Sequence, residues 1–177
     1  MTRKVVVGVG GGIAAFKTAG LVSKLVQSGH AVDTVLTNSA TQFIGPATFT
    51  ALCGRAAVTD THDQRFPLGP HIELADGTDL LIVAPATARL IASFALGLAD
   101  DLLATLYLAC RCPVLVAPAM NSAMWDAPSV QRNIETLQSD GVHFVGPDSG
   151  WLSCRQHGSG RMSDPEAIRD AAEKLLK

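Results

Sequence analysis

Short apolar runs alternate along this chain with longer segments in which apolar residues recur every three or four positions. Residues 4–8 are a β-branched run leading into Gly10-Gly11-Gly12. Residues 13–27 then carry helical periodicity through Ile13, Phe16, Leu21, Leu25 and Val26, and stop at Ser28-Gly29. A second strand is predicted over 31–36. A helix follows over 39–52, with a break near Gly45-Pro46. The third strand covers 79–83 and ends at Pro85, and helical segments follow over 87–95 and 101–109. Residues 113–117 form the fourth strand. A helix over 128–139 has Pro128 in its first turn. The fifth strand spans 142–145, and a closing helix spans 165–176 with Asp164 as its expected cap.

Strands that alternate with helices specify a doubly wound parallel sheet. The strands are apolar throughout rather than on alternate positions, as expected where helices cover both faces. The expectation is one α/β domain over residues 1–177, with neither repeats nor a linker. Two irregular stretches, 60–70 and 147–163, are long for connections in a compact domain, and such loops are commonly functional.

Composition narrows the setting. The chain is 47% hydrophobic and 17% charged, with mean hydropathy +0.25, which is apolar for a monomer and points to a homo-oligomer. The longest apolar candidate, 80–98, is interrupted by Pro85, Thr87, Arg89, Ser93 and Gly97, so no membrane span is expected. The net charge of -2 and scattered Lys and Arg give no footprint for nucleic acid. The start, Met1-Thr2-Arg3-Lys4 and a brief apolar stretch, is too short for a signal peptide, so a cytoplasmic protein is expected. The four cysteines form no CxxC pair, and Cys110-Arg111-Cys112 is poorly spaced for zinc. Cys53, Cys110 and Cys112 lie in apolar surroundings and read as core or strand-edge residues. Cys154 instead sits among Ser153, Arg155, Gln156 and His157.

The chemistry-bearing loops follow strands, where open α/β sheets bind ligands. After the fourth strand comes Pro118-Ala119-Met120-Asn121-Ser122-Ala123-Met124-Trp125. Its amide can donate and accept hydrogen bonds, and its Met and Trp side chains suit an apolar pocket around a flat ring. The same loop reads equally as one capped by Asn121 with Met and Trp filling core. The first turn, Gly8-Val9-Gly10-Gly11-Gly12-Ile13, lets backbone N–H groups approach a phosphate at a helix N-terminus, or serves only tight packing. A dinucleotide fingerprint would end in glycine where Ile13 stands, and would place an acid after the second strand where the chain has Thr37-Asn38-Ser39. Hydroxyls and an amide there suit a phosphate or ribityl chain, so FMN is expected rather than NAD. Ala84-Pro85-Ala86-Thr87-Ala88 after the third strand would let a flat ring lie on the backbone, with Thr87 also a natural helix cap.

Three segments together resemble one family. Pro85-Ala86-Thr87-Ala88 looks like its PASANT motif, with Arg89 and Leu90 standing where the motif has Asn and Thr. The 118–125 segment matches PxMNxxMW in full. Gly146-Pro147-Asp148-Ser149-Gly150 through Cys154 and Gly158-Ser159-Gly160-Arg161-Met162 resemble its substrate-recognition flap. The family is the homo-oligomeric flavin-containing cysteine decarboxylases. The resemblance implies a flavodoxin-like Rossmann fold, bound FMN, and trimers or a dodecamer of trimers. The implied cofactor set is Gly10, Gly11, Gly12, Ile13, Thr37, Ser39, Phe43, Pro85, Ala86, Thr87, Ala88 and Met120.

Pro70-His71-Ile72-Glu73-Leu74 and the flap cysteine place the resemblance in the branch that decarboxylates 4'-phosphopantothenoylcysteine to 4'-phosphopantetheine in coenzyme A synthesis. The branch implies oxidation before CO2 loss and reduction after it. His71 is then a base or carboxylate-orienting group, Asn121 binds the substrate carboxylate or amide, and Cys154 donates the last proton. Met124 and Arg161 are the further substrate contacts expected, Arg161 at the phosphate. The alternatives are a peptidyl-cysteine oxidative decarboxylase that stops at the enethiol, and a flavin-binding regulatory subunit. The synthetase step found in bifunctional relatives is expected on another chain. His62, His143 and His157 have weaker claims, with His143 structural, and His30 is expected to be exposed.

Overall fold

The computed structural model describes residues 2–177. In chain order it runs β1 (Lys4–Val9), α1 (Ala15–Gln27), β2 (Ala31–Leu36), a 3-10 turn (Ala40–Gln42), α2 (Pro46–Cys53), α3 (Pro70–Ala75), β3 (Leu80–Ala86), α4 (Ala88–Leu96) and α5 (Leu102–Ala109). It continues through β4 (Val114–Pro118), α6 (Ser122–Trp125), α7 (Pro128–Ser139), β5 (His143–Phe144), β6 (Asp148–Trp151), β7 (His157–Arg161) and α8 (Pro165–Leu175). The first five strands form one parallel sheet in the order β2-β1-β3-β4-β5. That order reverses direction between β1 and β3, the switch point at which flavodoxin-like sheets bind their ligand.

The uniformly apolar strands divide their side chains between two cores. Val5, Val7, Val9, Leu80, Ile82, Leu115 and Ala117 face one layer with Leu21 and Leu25 of α1, Phe49 of α2 and Ile168 of α8. Val6, Leu81, Val83, Val114 and Val116 face the other, with Leu74 of α3, Leu90 of α4, Leu103 of α5 and Ile134 of α7. Each fully buried Leu or Ile contributes about 1.5–3 kcal/mol of transfer free energy. The layers close tightly: a Cβ on Gly8 would lie 2.4 Å from Leu103 Cδ1.

Several boundaries differ from the pattern. The expected 39–52 helix is divided, because Phe43 N–H closes the 3-10 turn on Ala40 O and Pro46 opens a new helix. β3 runs on through Pro85 to Ala86. A register shift between Val83 and Ala86 accommodates the proline, and Ala86 O then accepts from Ala119 N–H at 3.0 Å. Asp164 occupies the cap position of α8 but makes no cap bond, since its carboxylate is taken by Lys17 at 2.8 Å and Arg161 at 3.1 Å. The His30 side chain is covered rather than exposed, 6% accessible, its Nε2 2.9 Å from Glu173 Oε1. His143 is exposed in the two-residue β5. The irregular 147–163 stretch contains an antiparallel hairpin, β6–β7. Among the described residues no helix is long and apolar enough to cross a membrane.

Candidate functional site

The glycine turn is the pivot of the site, and its three glycines serve different ends. Gly10 N–H donates to Pro85 O at 3.1 Å, and a Cβ there would stand 2.3 Å from that oxygen. A Cβ on Gly11 would lie 2.3 Å from Ser39 Cβ. These two glycines therefore let the β1, β2 and β3 loops meet. A Cβ on Gly12 would find nothing nearer than Thr87 Cγ2 at 4.0 Å, so its space opens outward. The following helix α1 has no side-chain cap and no acidic residue in its first turn. Its first N–H groups donate back into the preceding turn, Ala15 to Gly12 O at 2.9 Å, Phe16 to Ile13 O at 3.4 Å and Lys17 to Ala14 O at 3.0 Å, so what the helix offers an anion is its positive dipole end.

A cavity of about 540 Å³ opens beside that terminus. Gly12 and Ile13 line it from the turn, Met120 and Asn121 from the loop after β4, and Trp151, Cys154 and Arg161 from the hairpin. Asn121 caps α6, its Oδ1 accepting from Met124 N–H at 2.8 Å. The cap and the ligand role are therefore compatible: with Oδ1 turned to the backbone, the two Nδ2 donors are the free end.

The hairpin is seated on this loop through backbone. Met120 N–H donates to Gly160 O at 3.0 Å, and Ser122 Oγ donates to Ser159 O at 2.8 Å. A Cβ on Gly160 would fall 2.2 Å from Met120 O, and one on Gly158 2.2 Å from Ser122 Oγ. Cys154 lies at the exposed tip, beside Arg155, whose φ of 64° is the left-handed region that bulky residues rarely enter. Leu152 N–H to Gln156 O at 2.8 Å and Arg155 N–H to Leu152 O at 2.9 Å hold the tip in that turn. At the hairpin base, Lys17 first and Arg161 next hold the Asp164 carboxyl below the usual carboxylate range.

The expected residues do not all converge. Gly12, Ile13, Met120, Asn121, Cys154 and Arg161 line one cavity. Thr37 turns its hydroxyl to Ala40 N–H at 3.1 Å, and Thr87 caps α4 by accepting from Leu90 N–H. Pro85 and Ala86 are buried within β3, and Ala88 begins α4 half-buried. Ser39 covers Gly11, while Phe43 and Met124 are exposed outside the cavity lining. Arg89 bridges Asp100 and Asp101, and Leu90 is fully buried, which explains the departure from the motif there: one pins α4 to the start of α5, the other is core. His71 lies at the start of α3, outside this cavity, with its Nδ1 buried and unpartnered among the described residues. Trp151, Leu152 and Met162 lie in the flap segments, but the sequence assigns them no cofactor or substrate role. They line the cavity because the hairpin folds back across the turn, which no local pattern announces.

Residues 1–177 match the Flavoprotein family. The chain belongs to the Flavoprotein family. It is 48% identical over 173 residues to the coenzyme A biosynthesis bifunctional protein CoaBC of Bacillus subtilis, covering 97% of this chain and 43% of that protein. It is 45% identical over 171 residues to CoaBC of Escherichia coli, covering 96% and 42%. This Flavoprotein chain thus spans about two-fifths of the length of these curated relatives. Among solved structures, a PPC decarboxylase mutant complexed with pantothenoylaminoethenethiol superposes with TM-score 0.88 at 27% identity, covering 98% of each chain. The FMN-dependent cysteine decarboxylase SpaF superposes with TM-score 0.82 at 33% identity, covering 96% and 97%.

Proposed function

We propose that the chain catalyses the FMN-dependent decarboxylation of 4'-phosphopantothenoylcysteine to 4'-phosphopantetheine. The observation that carries this reading is the one cavity lined by the glycine turn at the dipole end of α1, by the Asn121 amide and by the Cys154 thiol. The likeness to CoaBC proteins and to a PPC decarboxylase supports it.

The residues present fit FMN. The open space at Gly12 and the positive dipole end of α1, with no acidic residue in its first turn, suit its phosphate. Ile13 and Met120 offer apolar surface to its ring. When bound, the flavin supplies two-electron oxidation at the sulfur-bearing carbon, and so an electron sink for the bond to CO2, and returns those electrons afterwards. The protein's part is to hold and protonate. Asn121 Nδ2 donates to the substrate carboxylate and fixes the bond to be broken. Cys154 carries its S–H to the carbon left by CO2. Arg161, with one amine on Asp164, turns its remaining donors toward the substrate phosphate. The hairpin carrying Cys154 excludes water while the carbon is unprotonated.

His71 enters this scheme from a neighbouring copy in a trimer or a dodecamer of trimers. Its buried, unpartnered Nδ1 and the exposed Leu68 and Ile72 around it support that arrangement. There it orients the carboxylate or takes the substrate proton. The expected setting is the cytoplasm.

The test combines the visible spectrum with product mass after addition of 4'-phosphopantothenoylcysteine. A flavin spectrum and loss of CO2 alone is the expected result. Cys154→Ser should still release CO2 but stall at the enethiol, two hydrogens lighter than the full product. Wild-type protein that itself stops at the enethiol would move the chain to the peptidyl-cysteine type, and protein that takes up no FMN would overturn the reading.

A further inference from the structure

The helix that carries His71 is too short to hold itself. α3 has six residues, and a helix of that length makes too few hydrogen bonds to offset the entropy of ordering it. Its place is therefore set from outside. Leu74 packs into the core, and one side chain from the first strand gathers the C-terminal end of the helix. Lys4 Nζ donates to Glu73 O at 3.2 Å, Leu74 O at 3.1 Å and Asp76 O at 2.6 Å. An ammonium group has three N–H donors, and each of these finds a carbonyl. The positive charge also sits at the negative end of the helix dipole. We propose that Lys4 is a positioning residue for His71, acting through α3. This role presupposes the decarboxylase reading, in which His71 meets the substrate.

His71 has little else to set its direction. Its Nδ1 is buried and unpartnered among the described residues, so no hydrogen bond at that atom turns the ring. The ring lies against Gly69, where a Cβ would stand 3.3 Å from His71 Cε1 and 3.5 Å from Nδ1. Gly69 is the N-cap of α3, so ring and helix move together. Leu68 N–H donates to Glu73 Oε1 at 2.8 Å, a bond that ties this segment only to itself.

Lys4, by contrast, is locked into the sheet. Its N–H donates to Asp79 Oδ2 at 2.8 Å, and its carbonyl accepts from Asp79 N–H at 2.8 Å. The same strand runs on into the glycine turn. β1 thus carries the cofactor turn at one end and the clamp on the His71 helix at the other. A misplacement of about 1 Å at a catalytic group can cost on the order of a hundredfold in rate, so this clamp bears on turnover.

The test measures single turnovers of 4'-phosphopantothenoylcysteine and amide hydrogen exchange on FMN-loaded protein carrying Lys4→Met. Methionine keeps the apolar stem, removes the three donors and leaves the backbone bonds of residue 4 in place. Exchange should rise over residues 71–76 and stay unchanged in β2, β4 and α8. The rate should fall about tenfold, as expected when charge-assisted bonds are removed. In His71→Ala protein the same change should cost nothing further, because Lys4 acts only through that ring. A merely structural residue would multiply the two losses. Lys4→Arg keeps the charge and should show part of both effects, and it carries the same readings if Lys4→Met does not fold. Unchanged exchange in α3, an unchanged rate, or multiplied losses in the double variant would overturn the proposal. Wild-type protein that releases no CO2 would instead refute the decarboxylase reading, and the role of Lys4 with it.

Discussion

Replacing Gly160 by alanine tests how the Cys154 hairpin is held against the Asn121 loop. The new Cβ would stand 2.2 Å from Met120 O and 3.2 Å from its carbonyl carbon, at a φ of +114°. Holding a side chain in that region costs about 1–3 kcal/mol. The overlap is with backbone that cannot rotate away, and overpacking of this kind adds about 1–3 kcal/mol. The relief is separation of β7 from the loop, which also forfeits the 3.0 Å Met120–Gly160 bond. A net penalty of about 3 kcal/mol shifts the docking equilibrium roughly a hundredfold, at 1.4 kcal/mol per factor of ten. Neither sheet core is touched, so the effect is local. Turnover of 4'-phosphopantothenoylcysteine should fall by up to that factor, and protease should nick residues 148–161 while the melting temperature barely moves. Gly158→Ala is the internal control. Its Cβ meets Ser122 Oγ, which can swing away and lose only its 2.8 Å bond to Ser159 O. That costs about 1 kcal/mol, or roughly fivefold. Wild-type turnover and protease resistance in Gly160→Ala, or a larger defect in Gly158→Ala, would refute the docking argument.

Further outcomes follow from the same geometry. Gly12→Ala should melt like the wild type but bind FMN weakly, by absorbance after dialysis, whereas Gly10→Ala should be destabilised by about 1–3 kcal/mol through its contact with Pro85 O. Asn121→Asp keeps an equally good helix cap, so its stability should hold. It loses the donors offered to the substrate carboxylate, and KM should rise at least about thirtyfold, from roughly 2 kcal/mol per charge-assisted bond. Asp164→Asn removes a carboxylate whose folded-state pKa is depressed by Lys17 and then Arg161. A depressed pKa stabilises the fold above the unfolded value of ~3.9 and loses that contribution as pH falls through the folded value. The carboxylate is more than half exposed, so the effect at pH 7 is only about 0.5 kcal/mol, or roughly 1–2 °C in melting temperature. The two proteins should converge in acid, as a pH series of thermal melts will read.

What the residues by themselves determined was everything carried by short-range period and composition. Apolar runs such as 4–8 and 79–83, alternating with helical segments, specify a doubly wound parallel sheet because only buried, helix-covered strands are apolar on both faces. The PxMNxxMW and flap segments specify the family because they lie within single loops and need no knowledge of what faces them. The tertiary structure decided whatever depends on approach between distant segments. Gly10 and Gly11 are equivalent to Gly12 in sequence, yet Pro85 O and Ser39 occupy the space at the first two and leave the third open. Asp164 reads as a cap until Lys17 and Arg161 claim its carboxylate, because an ion pair across elements competes with a local bond. His30 looks exposed until Glu173, 143 residues away, covers it. Trp151 and Cys154 reach the Asn121 cavity only because the glycines of β7 let two backbones touch, and such contacts between remote segments leave no periodic trace along the chain.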